Sequence, residues 1–194
     1  MPRPKEHDEQ TADALLSAAE RLIDADGLGA LSLRELARAA GTTTRAVYSL
    51  FGSKDGLVGA LGARAFELLQ SGLDALPTTG DPQNDVVEAA LMFRRFALEH
   101  PALFSIGIQL TEPNLWPRFS ATATESLASL HRLFQPLAQA GLLGGRSVPD
   151  AALQFHSLCE GLVAVELRRR AFGPDPEEFW RRAVHALVTG FAAG

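Results

Sequence analysis

Cysteine is nearly absent from this chain of 194 residues, in which Cys159 is the only one. A single thiol cannot form a disulfide within the chain, so a reducing compartment is the simplest expectation. Long apolar runs are absent as well, because no stretch approaches the roughly 18 apolar residues that a membrane-spanning helix needs. The opening residues, Met1–Gln10, are polar and lack the apolar core of a secretion signal. We therefore expect a soluble, cytoplasmic protein without a membrane partner.

Catalytic and metal-binding motifs are also missing. The sequence has no HExxH, no paired CxxC and no phosphate-binding P-loop. His156, Cys159 and Glu160 lie close together, but a nucleophile needs a base and an orienting group in the correct geometry. Neighbours on one helix are more often core and rim residues. We therefore predict that the protein is not an enzyme and has no metal ligand, catalytic residue or cofactor.

Basic charge is scarce overall, since the formal net charge is −5. This value argues against a protein that binds nucleic acid through a diffuse basic surface. The charge is unevenly distributed, however. Residues Ser32–Lys54, which we call the basic segment, contain four cations against Glu35 alone and so carry a local charge of +3. Any contact with DNA should therefore be local and have a modest salt dependence.

The basic segment has the pattern of two short helices joined by a glycine turn. Ser32 and Glu35 have the spacing of a capping box, which predicts that a helix begins just after Ser32. Gly41 should end this helix, because glycine readily adopts the positive φ that often follows a helix C-terminus. Thr42 or Thr43 should then cap the second helix. A second helix held across a first by a short turn is typical of the helix-turn-helix motif.

The second of these helices has one apolar and one polar face. Val47 and Phe51 are four residues apart and share the face that packs inward. The opposite face has an arginine, hydroxyl groups and a methyl group, which suit the base edges and phosphates of a major groove. The predicted DNA-binding residues are Ser32, Thr42, Thr43, Thr44, Arg45, Ala46, Tyr48, Ser49 and Lys54.

The predicted DNA-binding residues have two roles. We expect Arg45 to contact bases. Phosphate contacts are expected from Ser32, Thr43, Tyr48 and Lys54. Ser53 should cap a third helix, whose free amides and first-turn Lys54 suit a phosphate. The alternative interpretation of Lys54 is a solvated lysine on a turn.

Part of this pattern resembles a known family. Residues Thr42 to Leu57, Thr-Thr-Thr-Arg-Ala-Val-Tyr-Ser-Leu-Phe-Gly-Ser-Lys-Asp-Gly-Leu, resemble the signature of the tetracycline-repressor (TetR) family of bacterial regulators. The resemblance extends back through Leu31–Ala37 to a first helix near Thr11 and so covers about the first 65 residues. One departure is Leu50, where the family often has histidine. The resemblance implies a DNA-binding regulator that forms dimers.

The second half has a weaker resemblance. Phe96–Phe104 and His156–Leu167 are similar to a ligand-domain subclass with a Trp-His-Gly signature. In this chain His156 stands at the tryptophan position and Glu160 at the histidine position, while Gly161 keeps the residue type.

Helical spacing continues through the rest of the chain, and no strand alternation is found. The predicted helices run from about Asp8 to Asp26, from Ser53 to Pro77, from Asp81 to His100, from Pro101 to Ile108, from Arg118 to Ala140, from Ser147 to Phe172 and from Asp175 to Ala192. We predict an all-α fold of about nine helices. An N-terminal three-helix DNA-binding domain, residues 1–52, would be joined by a long helix to a C-terminal helical bundle for ligand binding and dimerisation, residues 53–194.

The last two predicted helices have apolar residues on more than one side. Pairing with the same helices of a second subunit would bury these residues in a four-helix bundle, and the family's usual dimer supports such pairing. Alternatively, other helices of the second half cover them internally. The predicted interface residues are Leu158, Leu162, Val165, Leu187 and Phe191.

Large aromatic and soft side chains are frequent between Phe66 and Cys159. They are most simply core residues, but some would line an apolar cavity between helices if the protein binds a ligand. The ligand would then be mainly apolar, with His156 or Glu160 as a polar anchor. The predicted pocket residues are Phe66, Met92, Phe96, Phe104, Trp116, Phe134, Phe155, His156, Cys159 and Glu160.

These observations favour a ligand-responsive transcriptional repressor. It would bind a palindromic operator as a homodimer and release it when a small, mainly apolar molecule binds. Its partners would be double-stranded operator DNA, the small-molecule effector and a second copy of the chain. The alternative is a helical ligand-binding or interaction protein that no longer reads DNA. Arg45, Tyr48 and Lys54 argue against this alternative, because a purely structural module would not need them on an exposed face.

Overall fold

The computed structural model describes residues 5–109, 114–168 and 173–192. Within these ranges the chain forms nine α-helices and no β-strand, so the predicted all-α fold is confirmed. The helices are α1 Lys5–Asp26, α2 Leu33–Ala39, α3 Thr44–Phe51, α4 Lys54–Asp74, α5 Pro82–Glu99, α6 Pro101–Phe104, α7 Ser120–Gln139, α8 Val148–Leu167 and α9 Pro176–Ala192. A π-helical segment, Ser105–Gln109, follows α6. None of the described helices is long and apolar enough to cross a lipid bilayer.

Most helix ends lie within two residues of the predicted ones, and four do not. Helix α6 ends at Phe104, four residues before the predicted Ile108, and the π-helical segment follows it. Helix α1 begins three residues earlier than predicted, because polar helix-forming residues extend it without an apolar stripe. Helix α4 ends at Asp74, about one turn before the predicted stop. Helix α8 ends at Leu167, since Arg168 leaves the helical region with φ −77° and ψ 8°. The predicted extension of α8 was therefore wrong at Arg168, and its far end at Phe172 lies outside the described residues.

The first of two compact units comprises the chain up to Phe66 together with His100–Ala123. Helix α1 packs against α2, α3 and α6, and α2 packs against α3. The largest fully buried aliphatic side chains of this unit are Leu15, Leu36, Leu57, Leu61, Leu103 and Ile106. Leu36 places one face of α2 in this core, and Val47 does the same for α3. The predicted domain boundary at residue 52 falls within this unit and stays a prediction.

Two side chains of α1 hold the start of α6. The Oδ1 atom of Asp24 accepts a hydrogen bond from the backbone N–H of Ala102 at 2.9 Å. The Nδ1 atom of His100 lies 2.6 Å from Oε1 of Glu20. The first amides of a helix have no partner within the helix, so Asp24 satisfies one of them. Burial raises the pKa of Asp24, and the hydrogen bond from Ala102 opposes that shift.

The second unit comprises Glu67–Glu99 and the chain from Thr124 onward. Helix α5 packs against α8 and α9, and α8 packs against α9. The predicted start of α5 is confirmed, because Oδ1 of Asp81 accepts the backbone N–H of Gln83 at 3.0 Å and Pro82 is the first helical residue. Ser147 caps α8 in the same way, with its side chain accepting from the amide of Asp150.

A half-buried ion pair connects three helices of the second unit. Arg94 of α5 forms a two-pronged contact with Glu166 of α8, with an Nη2–Oε1 distance of 2.6 Å and an Nε–Oε2 distance of 3.0 Å. The indole N–H of Trp180 of α9, which is fully buried, donates to Oε2 of Glu166 at 3.0 Å. The hydrogen bond to Glu166 raises the pKa of Arg94 further above its ordinary value. The ion pair thus fixes the spacing of α5, α8 and α9.

We expect Arg94→Ala to lower the free energy of unfolding by roughly 2 kcal/mol, because it removes the charge-assisted hydrogen bonds of the half-buried Glu166 carboxylate. Arg181→Ala is the matched control, since Arg181 joins α9 to Glu88 of α5 with a side chain that is 38% exposed. That change should cost about 1 kcal/mol or less. Urea unfolding measures both variants, and equal losses would contradict the role given to Glu166.

Candidate nucleic-acid interface

The turn between α2 and α3 is held by backbone hydrogen bonds. The amide of Gly41 donates to the carbonyl of Arg38 at 3.2 Å, and the amide of Thr42 donates to the carbonyl of Ala37 at 2.9 Å. This pair of bonds is the Schellman arrangement, which needs a residue with positive φ. Gly41 supplies it with φ 65°. The predicted end of the first short helix is therefore confirmed.

The two predicted caps of the short helices have different outcomes. Thr43 caps α3, because its Oγ1 accepts a hydrogen bond from the amide of Ala46 at 3.2 Å. Ser32 precedes α2 as predicted, with extended φ −108° and ψ 126°, but its side chain makes no cap hydrogen bond. The predicted capping box is therefore wrong. Glu35 instead lies 3.6 Å from Arg38, one turn along the same helix.

Helix α3 has the two faces that the sequence predicts. Val47 is fully buried and Phe51 is half-buried. Tyr48 has 56% of its surface exposed. Of the predicted DNA-binding residues, those that are exposed are Ser32, Thr43, Thr44, Arg45, Tyr48 and Ser49, and those that are half-buried are Thr42, Ala46 and Lys54. Every predicted residue thus has some surface available to a partner.

The junction between α3 and α4 places Lys54 next to the end of α3. The amide of Gly52, which has φ 73°, donates to the carbonyl of Tyr48 at 2.9 Å. Ser53 caps α4 as predicted, since its Oγ accepts from the amide of Gly56 at 3.0 Å. A Cβ atom at Gly56 would overlap the carbonyl oxygen of Phe51. The two helix ends are therefore in direct backbone contact, which the sequence did not reveal.

The charge of the basic segment is available at its surface. Arg34 and Arg45 are exposed. The pair of Arg38 and Glu35 has side chains that are 80% and 48% exposed, and such a pair contributes little. The local positive charge can therefore contact phosphates at little energetic cost.

The predicted pocket residues are divided between the two units. Phe66, Phe104 and Trp116 belong to the first unit and the other seven to the second. Phe104 is fully buried, whereas Trp116 is 52% exposed, so the interpretation of Trp116 as a core residue was wrong. Trp116 sits in a short 3-10 turn, where its ring meets Phe119 edge to face at 5.4 Å.

In the second unit two aromatic residues of the predicted pocket contact each other. Phe134 and Phe155 meet edge to face at 5.5 Å between ring centroids. Burial lowers the pKa of His156, while Glu160, 3.9 Å away, opposes the shift. Burial also raises the pKa of the Cys159 thiol, which keeps it protonated at neutral pH.

A cavity of about 130 Å³ lies elsewhere in this unit, lined by residues outside the predicted pocket such as Leu73, Asp85 and Arg132. This volume is below the range of roughly 300–1,000 Å³ that is usual for ligand sites. The predicted pocket stays a prediction. In the part of the chain that the structure describes, no group of three or more His, Cys, Asp or Glu side chains is placed to hold a metal ion.

The predicted interface residues differ in how much surface they offer. Leu158, Val165 and Leu187 are half-buried. Leu162 and Phe191 are buried within their own unit, at 9% and 1% exposure, so they cannot contribute directly to a surface contact. The guanidinium carbon of Arg146 lies 5.2 Å from the centroid of the Phe191 ring and covers it. Sequence spacing does not predict this contact.

The difference between the two caps gives a test of the local structure. Thr43→Ala should lower the free energy of unfolding by about 1 kcal/mol, because it removes the side-chain acceptor of α3. Ser32→Ala should change it by less than about 0.5 kcal/mol, because the Ser32 side chain makes no cap bond. Thermal or urea unfolding of the two variants measures this difference. A larger loss for Ser32→Ala would mean that the capping box forms after all.

Comparison with known proteins adds two family matches. Residues 15–61 match the model described as bacterial regulatory proteins, tetR family. Residues 86–187, more than half of the chain, match the model described as tetracyclin repressor-like, C-terminal domain. A search of curated proteins finds no significant match. The comparisons do not bear on the Trp-His-Gly resemblance, which stays a prediction.

Solved structures with the same fold cover nearly the whole chain. A protein of unknown function from Rhodococcus sp. RHA1 superposes with a TM-score of 0.80 at 22% identity, over 94% of this chain and 95% of that one. A TetR family transcriptional regulator from Thermus thermophilus gives 0.68 at 21% identity, over 90% and 96%. A bacterial regulatory protein of the tetR family from Rhodococcus RHA1 gives 0.70 at 19% identity, over 93% and 96%. At these identities the likeness concerns the fold.

Proposed function

The chain belongs to the TetR family of bacterial regulatory proteins, and from this premise we propose that it is a ligand-responsive transcriptional repressor. It binds a palindromic operator as a homodimer and releases the DNA when a small, mainly apolar molecule binds. The family makes the protein a DNA-binding regulator. The sense of regulation, the dimer and the effector are our proposals.

The observation that carries the proposal is the exposed polar face of α3. Arg45 is exposed on that face, beside Thr44 and Ser49. An arginine side chain donates two parallel hydrogen bonds to a guanine edge, and hydroxyl groups bond either to bases or to phosphates. We propose that Arg45 contacts bases.

Phosphate contacts would come from both sides of α3. Thr43 lies at its start, Tyr48 is exposed on its flank, and Lys54 follows its end. Ser32, whose hydroxyl is not used as a cap, adds a group from the start of α2. Contacts to phosphates orient a protein on the duplex without reading its sequence. Together these four residues would hold Arg45 against the major groove.

The proposed roles of Arg45 in base contact and of Lys54 in phosphate contact predict different effects when each residue is replaced. Arg45→Ala should weaken binding to an operator selected from random duplex DNA by roughly 1–3 kcal/mol and relax the preference at one base pair of each half-site. Lys54→Ala should weaken binding to all sequences alike and lower the salt slope by about one. Arg21→Ala, an exposed arginine on α1, is the control and should bind as wild type. Equal operator affinity of wild type and Arg45→Ala, measured by fluorescence anisotropy, would remove the base-reading role.

The proposed dimer uses the outer faces of α8 and α9. Val165 and Leu187 are half-buried there. Gly161 is exposed, and a Cβ atom at this position would have no atom within 4 Å. A smooth, partly apolar helix face of this kind lets a second helix approach closely. In a two-fold dimer the two copies of α3 would reach major grooves about 34–36 Å apart, or a multiple of that spacing.

Two variants test the dimer. Val165→Glu should yield monomers, because the interface would bury an unpaired charge. Gly161→Gln should do the same through bulk alone, and its open surroundings mean that the fold of the subunit is unaffected. Leu127→Glu on α7, where the leucine is 47% exposed, is the control and should remain dimeric. Light scattering at micromolar concentration measures the mass, and a monomeric wild-type protein would exclude the dimer.

Ligand response requires that the effector prefer one of two states of the dimer. Helix α4 runs from Lys54 into the second unit, so a change at its far end can alter the spacing of the two copies of α3. We propose as the effector site the predicted pocket residues of the second unit, Met92, Phe96, Phe134, Phe155, His156, Cys159 and Glu160. A ligand can shift the equilibrium between the two states only by the difference between its binding free energies for them.

Reciprocity gives the test of this coupling. A coupling free energy of about 1–3 kcal/mol weakens DNA binding roughly 5–150-fold, and operator DNA must weaken ligand binding by the same factor. Screening of small apolar compounds by thermal shift identifies binders, and calorimetry with and without operator measures both affinities. A compound that binds equally well in both experiments is not an effector, and a complete absence of coupled binders would contradict ligand control.

A further inference from the structure

Helix α4 has an unusual series of glycines in its first half. Gly56, Gly59 and Gly62 recur every third residue. A glycine inside a helix costs roughly 1 kcal/mol relative to alanine. Glycine is nevertheless required inside a helix where another group occupies the space that a side chain would fill. The space at Gly56 is taken by the carbonyl of Phe51, at the end of α3.

The other two glycines are covered by one stretch of chain, Asn114–Phe119, which we call the docked segment. A Cβ atom at Gly59 would lie 2.7 Å from Cβ of Arg118, and one at Gly62 would lie 2.6 Å from the ring of Phe119. Real Cβ atoms do not come this close to other carbon atoms. The contact at Gly59 involves the base of the arginine side chain, and Phe119 is only 2% exposed. Neither group can swing away.

The docked segment also contacts both ends of this stretch of α4. The Nδ2 atom of Asn114 lies 3.4 Å from Oδ2 of Asp55, in the first turn of the helix. Three turns further along, the ring of Phe66 stacks on Phe119 with 6.0 Å between centroids. The segment therefore follows α4 from its first turn to Phe66.

A second close approach comes from the π-helical segment after α6. A Cβ atom at Gly107 would lie 2.8 Å from Cβ of Ala65. The backbone of the π-helical segment thus packs directly against α4 near its middle, at Ala65. Close steric packing on these sides therefore determines the position of α4 in the first unit. It leaves the helix little freedom to rotate about its axis.

The docked segment does not resemble ordinary core. Of its residues, Leu115 and Phe119 are buried, whereas Asn114, Trp116 and Arg118 are exposed. It adds few apolar groups to the interior. Its clearest structural consequence is the placement of α4, whose first turn is in backbone contact with α3.

We propose that Gly59 and Gly62 are positioning residues for DNA binding. The docked segment packs into the space that these glycines leave and fixes the rotation of α4. Through the contact of Gly56 with Phe51, the rotation of α4 then sets the orientation of α3. This inference rests on the proposed DNA binding by α3 and assigns to two glycines and one surface segment a role in it.

The test uses Gly62→Ala, with operator DNA selected by the wild-type protein. The added methyl group displaces Phe119, so operator affinity should fall at least tenfold. The overlap with Phe119 should also lower the unfolding midpoint, and the higher helix propensity of alanine offsets only part of that loss. Gly72→Ala is the matched control on the same helix, since its methyl group would meet the flexible side chain of Met92. It should bind operator as wild type does.

A double variant separates positioning from a general loss of packing. Adding Phe119→Leu to Gly62→Ala makes room for the methyl group, so operator affinity should return to within about threefold of the Phe119→Leu single variant. Acrylamide quenching of Trp116 fluorescence follows the docked segment, because Trp116 is exposed and Trp180 is fully buried. Quenching should increase in Gly62→Ala and not in Gly72→Ala.

Three outcomes would overturn the inference. The first is wild-type operator affinity in Gly62→Ala despite altered quenching. The second is an equal loss of affinity in Gly72→Ala, and the third is a failure of Phe119→Leu to restore binding. If Gly62→Ala does not fold, Gly59→Ala is measured in its place with the same criteria. If the wild-type protein selects no DNA at all, the proposed function fails, whereas normal selection with an unaffected Gly62→Ala refutes only the positioning role.

Discussion

The position of α3 depends on close backbone contact at both of its ends. At its start, Gly41 allows two hydrogen bonds that only a residue with positive φ can complete. At its end, the carbonyl of Phe51 packs against Gly56 in the first turn of α4. Contacts between backbone atoms do not change with side-chain rotamers, so they hold a binding face more firmly than surface side chains do. A chain with a net charge of −5 must rely on such placement, because few cations are available to attract DNA.

The second unit achieves rigidity by a different interaction. Apolar packing between α5, α8 and α9 is strong but non-directional. The two-pronged pair of Arg94 and Glu166, completed by Trp180, is directional and has one favourable geometry. It therefore determines how these three helices are arranged. The relative positions of the outer faces of α8 and α9 follow from that arrangement. This half-buried ion pair thereby supports the surface that α8 and α9 present to a partner.

Sequence alone predicted the local features of this fold and missed the long-range ones. Thr43 and Ser53 were recognised as caps because the atoms they bond lie three residues away. The expected capping box does not form although its residue types were correct, since the Ser32 side chain makes no cap bond and Glu35 lies beside Arg38. Residue types at the correct spacing therefore do not determine which local hydrogen bonds form.

Other errors and omissions have tertiary causes. The partner of Arg94 is 72 residues away, and no pattern in a single sequence joins them. Phe191 had the spacing of an outer-face residue but is buried under Arg146. The glycines of α4 were visible in the sequence, yet their meaning depends on the docked segment that covers them. The exposed residues of α3 were predicted well, because one turn and one helical period decide which way they face.

The most direct test of DNA reading by α3 is selection of bound sequences from random duplex DNA by the purified protein. If a rigidly held α3 reads the major groove in a two-fold dimer, the enriched sequences should share a palindromic consensus. Its half-sites should be separated by about one helical turn or a small multiple of it, and substitution of Arg45 should change the consensus. Absence of enrichment, or an enriched motif without two-fold symmetry, would contradict reading of the major groove by α3 in a two-fold dimer.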